Sequence, residues 1–599
     1  MNAQSPRSFL GKALAADWLA ILAALFCFGF GAVSLAYVLG PADGTWMLYS
    51  QELMAGKRLY SDLDFNQQPL FPLLALLSLK LSAGGIISSR WLFLLIMAGF
   101  VTAVVRLCRL ARVNPLIRAV LIIAVFFTSI RFEAFRFDDY HGLSALLYFS
   151  SLLVAIALQQ GSLSVRRYAL LQAVICTATV LTRPNDGAAI ILAACFVAVL
   201  RKGLTREVLL AALWAAAAAV ALLLLTLLCL RETPQVWFVE SVVEASGAKG
   251  GGGSLLGYPL QLYLNSFHDM LAKFALPFRW LIVASLISGG FAAHLARRGS
   301  QWSRIVTVFA CVVFAVLILL SGWQVSIEHI TPITLLGATA ACLTALILAI
   351  FRAARSAGAA PQRLDFALLV YPVMLFIFGS LSSGGTYYSL YPPAAMTLAL
   401  FTVIATQGGS PAKGNLLASG LLLILFSAIA CEGVSYRTAN PYRWLDYRVP
   451  ALGGDYLLRD DRNGLHYIPA ELAAMIDPVC ARIRPGQSLL SAPWPFANSY
   501  CRIAPWHGYV QTFFDTTTAP HVEALISDLQ KAPPDFIYYQ QQSIVMRNHE
   551  VIYHHGAPVA QRRLEELILG NVAAGKWRIV AESHTYAPSV FYLIETRPQ

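Results

Sequence analysis

The stretch that decides how this chain is organised runs from Pro41 to Pro72 and reads PADGTWMLYSQELMAGKRLYSDLDFNQQPLFP. It follows an apolar run, residues 17–39, that is long enough to cross a bilayer. An acid directly after a membrane span is costly to place and tends to be functional. We therefore expect Asp43 to act in a site at the membrane surface. Two non-functional roles for Asp43 are possible: an incidental acid in a solvated loop, or a cap for a helix beginning near Thr45.

The composition places the chain among polytopic α-helical membrane proteins. Of its 599 residues, 57% are hydrophobic and only 13% are charged, about half the charged fraction of a soluble protein. The net charge of +12 does not indicate a nucleic-acid partner, because the basic residues cluster between apolar runs. The lipid bilayer is the expected partner, and we expect a monomer.

Apolar runs of bilayer length predict about thirteen spans. They lie at residues 17–39, 90–110, 115–131, 141–159, 167–182, 187–201, 207–230, 278–296, 304–322, 330–351, 366–381, 387–406 and 415–431. The shorter run 69–83 is the exception, because its crossing would put the basic loops on the wrong side. With 69–83 lying along the outer surface, every short basic loop is cytoplasmic, as the positive-inside rule requires. The chain then fits a multi-pass protein of a bacterial inner membrane.

Two domains follow from this topology. Residues 1–433 form a transmembrane domain, with surface helices in the outer loop 40–89 and a flexible, glycine-rich outer loop at 231–277. Residues 434–599 contain short β-rich runs alternating with helical patterns, which predicts an extracytoplasmic α/β domain. In an oxidising compartment its two cysteines, Cys480 and Cys501, are expected to pair.

Acids, bases and aromatic residues gather on the predicted outer side. The loop Arg131–His141 reads RFEAFRFDDYH and contains Arg136, Asp138 and Asp139. Converging carboxylates suit general-base activation of a hydroxyl, or binding of a divalent cation such as Mg²⁺ or Mn²⁺. Further candidates for substrate binding are Arg183, Lys57, Arg58, Glu328, His329, Tyr387 and Tyr388. Each has a structural alternative, such as a solvated ion pair or an interfacial aromatic. Asp62 and Asp64 are interpreted as solvated or turn acids.

These outer loops resemble those of the GT-C superfamily of membrane glycosyltransferases, which includes protein mannosyltransferases, aminoarabinose transferases and oligosaccharyltransferases. The resemblance rests on Asp43 followed by GKRLYSDLDFNQQPL, on RFDD in the second loop, and on TYYSLYPP before a late span. It implies a polyprenyl-phosphate-linked sugar as donor and a glycan, lipid or protein as acceptor. It also implies that Asp43 is the catalytic base and that Asp138 or Asp139 holds a metal or the acceptor. Aminoarabinose transferases tend to have Lys where this chain has Gln68, so the phosphate contact must come from elsewhere.

The first hypothesis is therefore a glycosyltransferase working on the outer face of the membrane. The alternative is a transporter or flippase of a lipid-linked or anionic substrate. A transporter predicts charged residues near the middle of the bilayer, whereas here the charges gather at the ends of the apolar runs.

Overall fold

The structure is a computed structural model of the chain. It describes residues 18–29, 31–32, 35–36, 44–82, 84–85, 88–110, 118–119, 122–123, 125, 140–245, 365–379, 396–397, 400, 456–513, 516–541, 546–547, 550, 556–583 and 590–597.

The membrane part of the described chain is helical. Its helices are α1 (Trp18–Gly29), α2 (Thr45–Met54), α3 (Leu70–Leu81), α4 (Trp91–Leu110), α5 (His141–Gln159), α6 (Val165–Val180), α7 (Pro184–Lys202), α8 (Arg206–Leu230), α9 (Pro234–Phe238) and α10 (Asp365–Gly379). A 3₁₀ turn precedes α4, and a π-helical turn, Val239–Glu244, follows α9. Among the described residues, four segments are long and apolar enough to cross a membrane: Ser88–Leu110, α5, α7 and α8.

These four segments confirm helices at the predicted spans 90–110, 141–159, 187–201 and 207–230. Within the first predicted span, the described residues are helical at Trp18–Gly29 and again at residues 31–32, and Leu35–Ala36 form a turn. The predicted spans 278–296, 304–322, 330–351 and 415–431 lie outside the described residues.

Helix α3 is the short apolar run that the sequence placed on the surface. Its 12 residues make a helix about 18 Å long, which is shorter than the roughly 30 Å hydrocarbon core. It packs beneath α2: the Ser50 hydroxyl donates to the Pro72 carbonyl at 2.9 Å, and the rings of Trp46 and Phe71 meet edge-on at 5.7 Å.

The short connections between helices divide the bundle into two faces. The turn 181–183 joins α6 to α7, and the chain leaves α8 at Arg231 on the same side. The Leu70 amide donates to the Leu181 carbonyl at 2.9 Å, so α3 begins there too. We call this side, formed by residues 44–82, 181–183 and 231–245, the loop face. The opposite ends of these helices carry Arg166, Arg167, Arg201, Lys202 and Arg206.

The C-terminal part folds around a four-stranded sheet with strand order β3-β4-β6-β5. Strands β3 (Leu489–Ala492) and β4 (Phe536–Gln541) are parallel, while β6 (Val590–Glu595) is antiparallel to β4 and to β5 (Arg578–Ser583). A separate hairpin pairs β1 (Tyr456–Asp461) with β2 (Gly464–Pro469). The helices are α11 (Ala470–Arg482), α12 (Phe496–Cys501), α13 (Ala519–Lys531) and α14 (Ala560–Ala573). Strands and helices alternate here as the sequence predicted.

The two faces of the four-stranded sheet pack into two different hydrophobic cores. Alternate residues of a strand point to opposite sides. In β4, Ile537 packs with residues of α13 and α14, whereas Phe536 and Tyr538 belong to the core shared with the membrane part. The predicted disulfide is confirmed: Cys480 at the end of α11 is bonded to Cys501 at the end of α12, with Cα atoms 5.2 Å apart.

The C-terminal part sits on the loop face. The Tyr467 amide donates to the Ala36 carbonyl at 2.7 Å, and the Asp64 amide donates to the Gly508 carbonyl at 3.0 Å. Gly508 has φ of 83°, and a Cβ added there would come within 2.3 Å of the Asp62 carbonyl oxygen. Only glycine allows this close approach.

Candidate functional site

The first outer loop is an ordered structure. Nearly all of α2 is buried, from Thr45 to Ser50 and again at Glu52. Trp46 is its aromatic centre, meeting Phe65 at 6.1 Å and Phe71 at 5.7 Å, both edge-on. Gly44 occupies the N-cap position with φ of 83°. Asp43, which precedes it, lies outside the described residues, and its capping alternative would need the position that Gly44 holds.

The first and second outer loops meet at one aromatic contact. The ring of Trp46 lies edge-on to the ring of Tyr140, with centroids 5.2 Å apart. Tyr140 stacks on His141, the first residue of α5, at 4.4 Å. Asp138 and Asp139 lie outside the described residues, immediately before Tyr140. The described flanks of both acidic loops are therefore neighbours on the loop face.

Arg183 lies at the start of α7. It holds the N-cap position, Pro184 begins the helix, and Asp186 is in the first turn. Proline is favoured at this position because an N–H here would have no partner within the helix, and proline has no N–H. The Arg183 guanidinium lies 3.6 Å from the Asp186 carboxylate, and the two side chains are 11% and 1% exposed. Arg183 thus places a positive charge on the loop face, partly sheltered from water.

Lys57 and Arg58 have acidic partners. The Lys57 ammonium lies 2.6 Å from the Glu52 carboxylate, and the Arg58 guanidinium lies 2.9 Å from Asp62. The Arg58 amide also donates to Asp62 at 2.8 Å. These hydrogen bonds from Arg58 lower the pKa of Asp62. The structural alternative fits these residues: they form ion pairs within one turn of chain.

Two anchors that sequence reasoning missed hold the first loop from the segment after α8. The Glu232 carboxylate accepts hydrogen bonds from the Tyr60 amide at 2.8 Å, the Ser61 amide at 3.0 Å and the Ser61 hydroxyl at 2.7 Å. Gln68 accepts from the Trp237 indole at 3.2 Å and donates to the Ser241 carbonyl at 3.3 Å. The predicted flexible loop 231–277 is thus helical and anchored up to residue 245. Its glycine run, 247–254, lies outside the described residues.

A cluster of ionisable groups joins three distant parts of the chain. The His521 ring, in the first turn of α13, hydrogen-bonds Asp64 through Nδ1. Its Nε2 faces Glu240 at 3.2 Å and Glu244 at 3.7 Å. The interpretation of Asp64 as a solvated acid is wrong, because its side chain is 8% exposed. The only local sign of this cluster in the sequence is the spacing of Glu240 and Glu244, which are four residues apart.

The cluster's charges depend on one another. Burial raises the pKa of Asp64, and its hydrogen bond with His521 opposes that effect. Burial lowers the pKa of His521, but the carboxylates of Asp64 and Glu240 outweigh it and raise the pKa to about 10. In the protein alone, His521 is therefore a cation at neutral pH.

The other predicted site residues lie outside the part of the chain that the structure describes. They are Arg136, Asp138, Asp139, Glu328, His329, Tyr387 and Tyr388, together with Asp43. The described residues bring Arg183 and the flanks of the first two acidic loops to the loop face. Together they define a membrane protein with ordered surface loops covered by an α/β domain.

Solved structures that are similar to this chain include two of ArnT from Cupriavidus metallidurans. The apo state is 12% identical and the form bound to undecaprenyl phosphate is 13% identical, each with a TM-score of 0.42. Each alignment covers 97% of this chain and 98% of that chain. ArnT is a GT-C aminoarabinose transferase. No family model and no curated protein sequence matches the chain.

Proposed function

We propose that this protein is a glycosyltransferase that moves a sugar from a polyprenyl-phosphate donor to an acceptor hydroxyl on the outer face of the membrane. The contact between Trp46 and Tyr140 carries the proposal, because it joins the described flanks of the two acidic loops. Asp43 is three residues from Trp46, and a fully extended chain of three residues spans about 11 Å. Asp139 is bonded directly to Tyr140. Both acids are therefore within reach of one site.

The chemistry follows from these residue types. Asp43 takes the proton of the acceptor hydroxyl, whose oxygen attacks the anomeric carbon while the bond to the lipid phosphate breaks. Asp138 or Asp139 orients the acceptor. A buried general base contributes about 10²–10⁴-fold to such a step. A divalent cation at Asp43 and Asp138 or Asp139 stays a prediction, and no step here depends on it.

Arg183 is the favoured partner for the departing phosphate. It is at the start of a helix, where backbone N–H groups also favour an anion. Its guanidinium lies 3.6 Å from the Asp186 carboxylate and is 11% exposed, so its charge is close to the loop face and partly sheltered from water. Lys57 and Arg58 are already paired closely with carboxylates, which argues against them. Arg136, Glu328, His329, Tyr387 and Tyr388 stay candidates.

The proposed orientation puts the loop face and residues 434–599 in the periplasm. Contacts of Tyr467 with Ala36 and of Asp64 with Gly508 support a common side for the domain and the loops. The opposite face carries Arg166, Arg167 and other basic residues, as expected of a cytoplasmic face. The disulfide between Cys480 and Cys501 suits an oxidising compartment.

The described spans do not favour the transporter alternative. In α4 to α8 the Asp, Glu, Lys and Arg residues all lie within about two turns of a helix end. The buried polar contact between α5, α6 and α10 is neutral: the Ser151 hydroxyl lies 2.7 Å from Gln172 and 2.7 Å from Tyr371. Such contacts join helices in a bilayer.

Mass spectrometry of cell-envelope glycans from strains with and without the gene tests the proposal. Loss of the gene is expected to remove one sugar mass from one glycan, lipid or protein, while the polyprenyl-phosphate sugar accumulates on the outer leaflet. Restoring the gene should return the product. Accumulation on the inner leaflet instead would support the transporter and contradict a transferase.

A further inference from the structure

Three segments that are far apart in sequence meet around the imidazole of His521. The π-helical turn after α9 contributes Glu240 and Glu244, and α13 contributes His521. One ligand atom from each lies within 4.8 Å of the others. Asp64, from the first outer loop, hydrogen-bonds the other nitrogen of the ring. None of these residues is used in the proposed reaction.

The distances suit ligands around one ion. Two ligand atoms that each lie about 2.1 Å from a tetrahedral metal are about 3.4 Å apart. His521 Nε2 lies 3.2 Å from Glu240 Oε2 and 3.7 Å from Glu244 Oε2, which are values on either side of that spacing. The longer distance exceeds a hydrogen bond, so a shared proton satisfies only one of the two carboxylates.

The charge of the cluster is unbalanced. Three carboxylates and one imidazole share this partly buried place, so acidic groups outnumber the one basic group. Within the described part of the chain, no Lys or Arg forms an ion pair with Asp64, Glu240 or Glu244. Asp64 is more than nine-tenths buried, and its Oδ2 has no hydrogen-bond partner there. Glu240 Oε2, the atom facing the ring, is also enclosed, with His521 Nε2 3.2 Å away.

We propose that Glu240, Glu244 and His521 bind a divalent transition-metal ion, of which Zn²⁺ is the best fit. One imidazole nitrogen and two carboxylate oxygens form a mixed set that suits Zn²⁺ or Mn²⁺ better than the all-oxygen sites of Mg²⁺ and Ca²⁺. The metal takes the place of the proton on Nε2 and supplies the missing positive charge.

Asp64 then acts as the outer partner of the metal ligand. Metal-bound histidines commonly donate their other N–H to a carboxylate, which fixes the ring's tautomer and orientation. The backbone of Asp64 is itself fixed by two hydrogen bonds. Its amide donates to the Gly508 carbonyl, and its carbonyl accepts from the Tyr49 hydroxyl at 2.8 Å. The Thr518 hydroxyl donates to Glu244 at 3.1 Å. The ion would clamp the first loop, the segment after α9 and the α/β domain together.

Metal binding by the full-length protein tests this site independently of any transfer activity. The purified chain is stripped with EDTA, titrated with Zn²⁺, desalted and analysed by mass spectrometry for bound metal. The wild type should retain one equivalent more than the double variant Glu240→Gln/Glu244→Gln. Zn²⁺ should also raise the unfolding temperature of the wild type and not that of the double variant.

Glu523→Gln is the matched control. It removes a carboxylate from the same helix, two residues from His521, where Glu523 forms an exposed pair with Arg563 at 2.6 Å. This variant should bind Zn²⁺ as the wild type does. If the double variant retains as much Zn²⁺ as the wild type, or the wild type retains none, the assignment is overturned. The comparison also separates this site from any other that binds zinc.

Discussion

The ring of Trp46 meets the ring of Tyr140 edge-on, with centroids 5.2 Å apart and planes at 90°. Trp46 lies in the helix that follows Asp43, and Tyr140 follows Asp138 and Asp139. Two loops about a hundred residues apart in sequence are therefore joined on the face that the α/β domain covers. The proposed active site follows from this arrangement.

The Glu232 anchor should matter for the stability of the first loop. Its carboxylate accepts three hydrogen bonds from Tyr60 and Ser61 while only 7% exposed. Glu232→Gln removes the charge and leaves at least one donor without an acceptor, which should cost roughly 1–3 kcal/mol. Thermal unfolding in detergent measures this. Glu566→Gln, an exposed change on α14, should have little effect, and equal losses would contradict the anchoring role.

The disulfide should stabilise the α/β domain. Cys480 and Cys501 are 21 residues apart in sequence. Replacing both by Ser should lower stability by about 3 kcal/mol on the chain-entropy account. Cys195→Ser, at an exposed position on α7, is the control. An unchanged unfolding temperature in the double variant would contradict the expectation.

Acid should weaken the contact between β3 and β4. The Asp535 carboxylate accepts from the Ser488 amide and hydroxyl, both at 2.8 Å. These bonds lower its pKa from the ordinary value of 3.8, and the amide bond is the largest cause. A carboxyl with a lowered folded pKa stabilises the fold above its unfolded pKa and loses that effect as the pH falls through its folded pKa.

Asp535→Asn should therefore unfold at a lower temperature than the wild type at pH 7. The difference should shrink as the pH is brought below 3.8. Unfolding temperatures of both proteins, measured from pH 7 to pH 3, check this. A difference that stays constant with pH would mean that Asp535 does not act through its charge.

Substitutions of Arg58 and Arg183 should differ in their effect on the rate of sugar transfer. Arg58→Gln is expected to leave sugar transfer within about twofold, because Arg58 forms an exposed pair with Asp62. Arg183→Gln should lower it at least tenfold if Arg183 receives the phosphate. Because that change leaves Asp186 buried without its partner, the double variant Arg183→Gln/Asp186→Asn tests the same loss with both charges removed. Transfer assays that rank Arg58 above Arg183 would reject the assignment.

Much of the fold could be predicted because its signals are local. A short run rich in β-favouring residues, such as Phe536–Gln540, marks a strand, and an apolar run such as α8 marks a span. The predicted topology places the C-terminal domain in an oxidising compartment, and this was enough to predict the disulfide between Cys480 and Cys501.

The His521 cluster could not be predicted in the same way. Asp64 lies in a polar loop and looks solvated, and its partner His521 is 457 residues away. Burial of Asp64 depends on the α/β domain docking on the loop face, which no local pattern encodes.

The measurement that tests the central claim most directly is sugar transfer by Asp43→Asn. The reaction uses purified protein, a polyprenyl-phosphate sugar and the acceptor identified from the cell envelope, with undecaprenyl phosphate as the probe for lipid binding. Asn keeps the shape of Asp but cannot accept the proton, so transfer should fall at least about 100-fold, while lipid binding and the unfolding temperature stay unchanged. Asp62→Asn, in an exposed pair with Arg58, is the control and should transfer nearly as well as the wild type. Near-full transfer by Asp43→Asn would contradict the account.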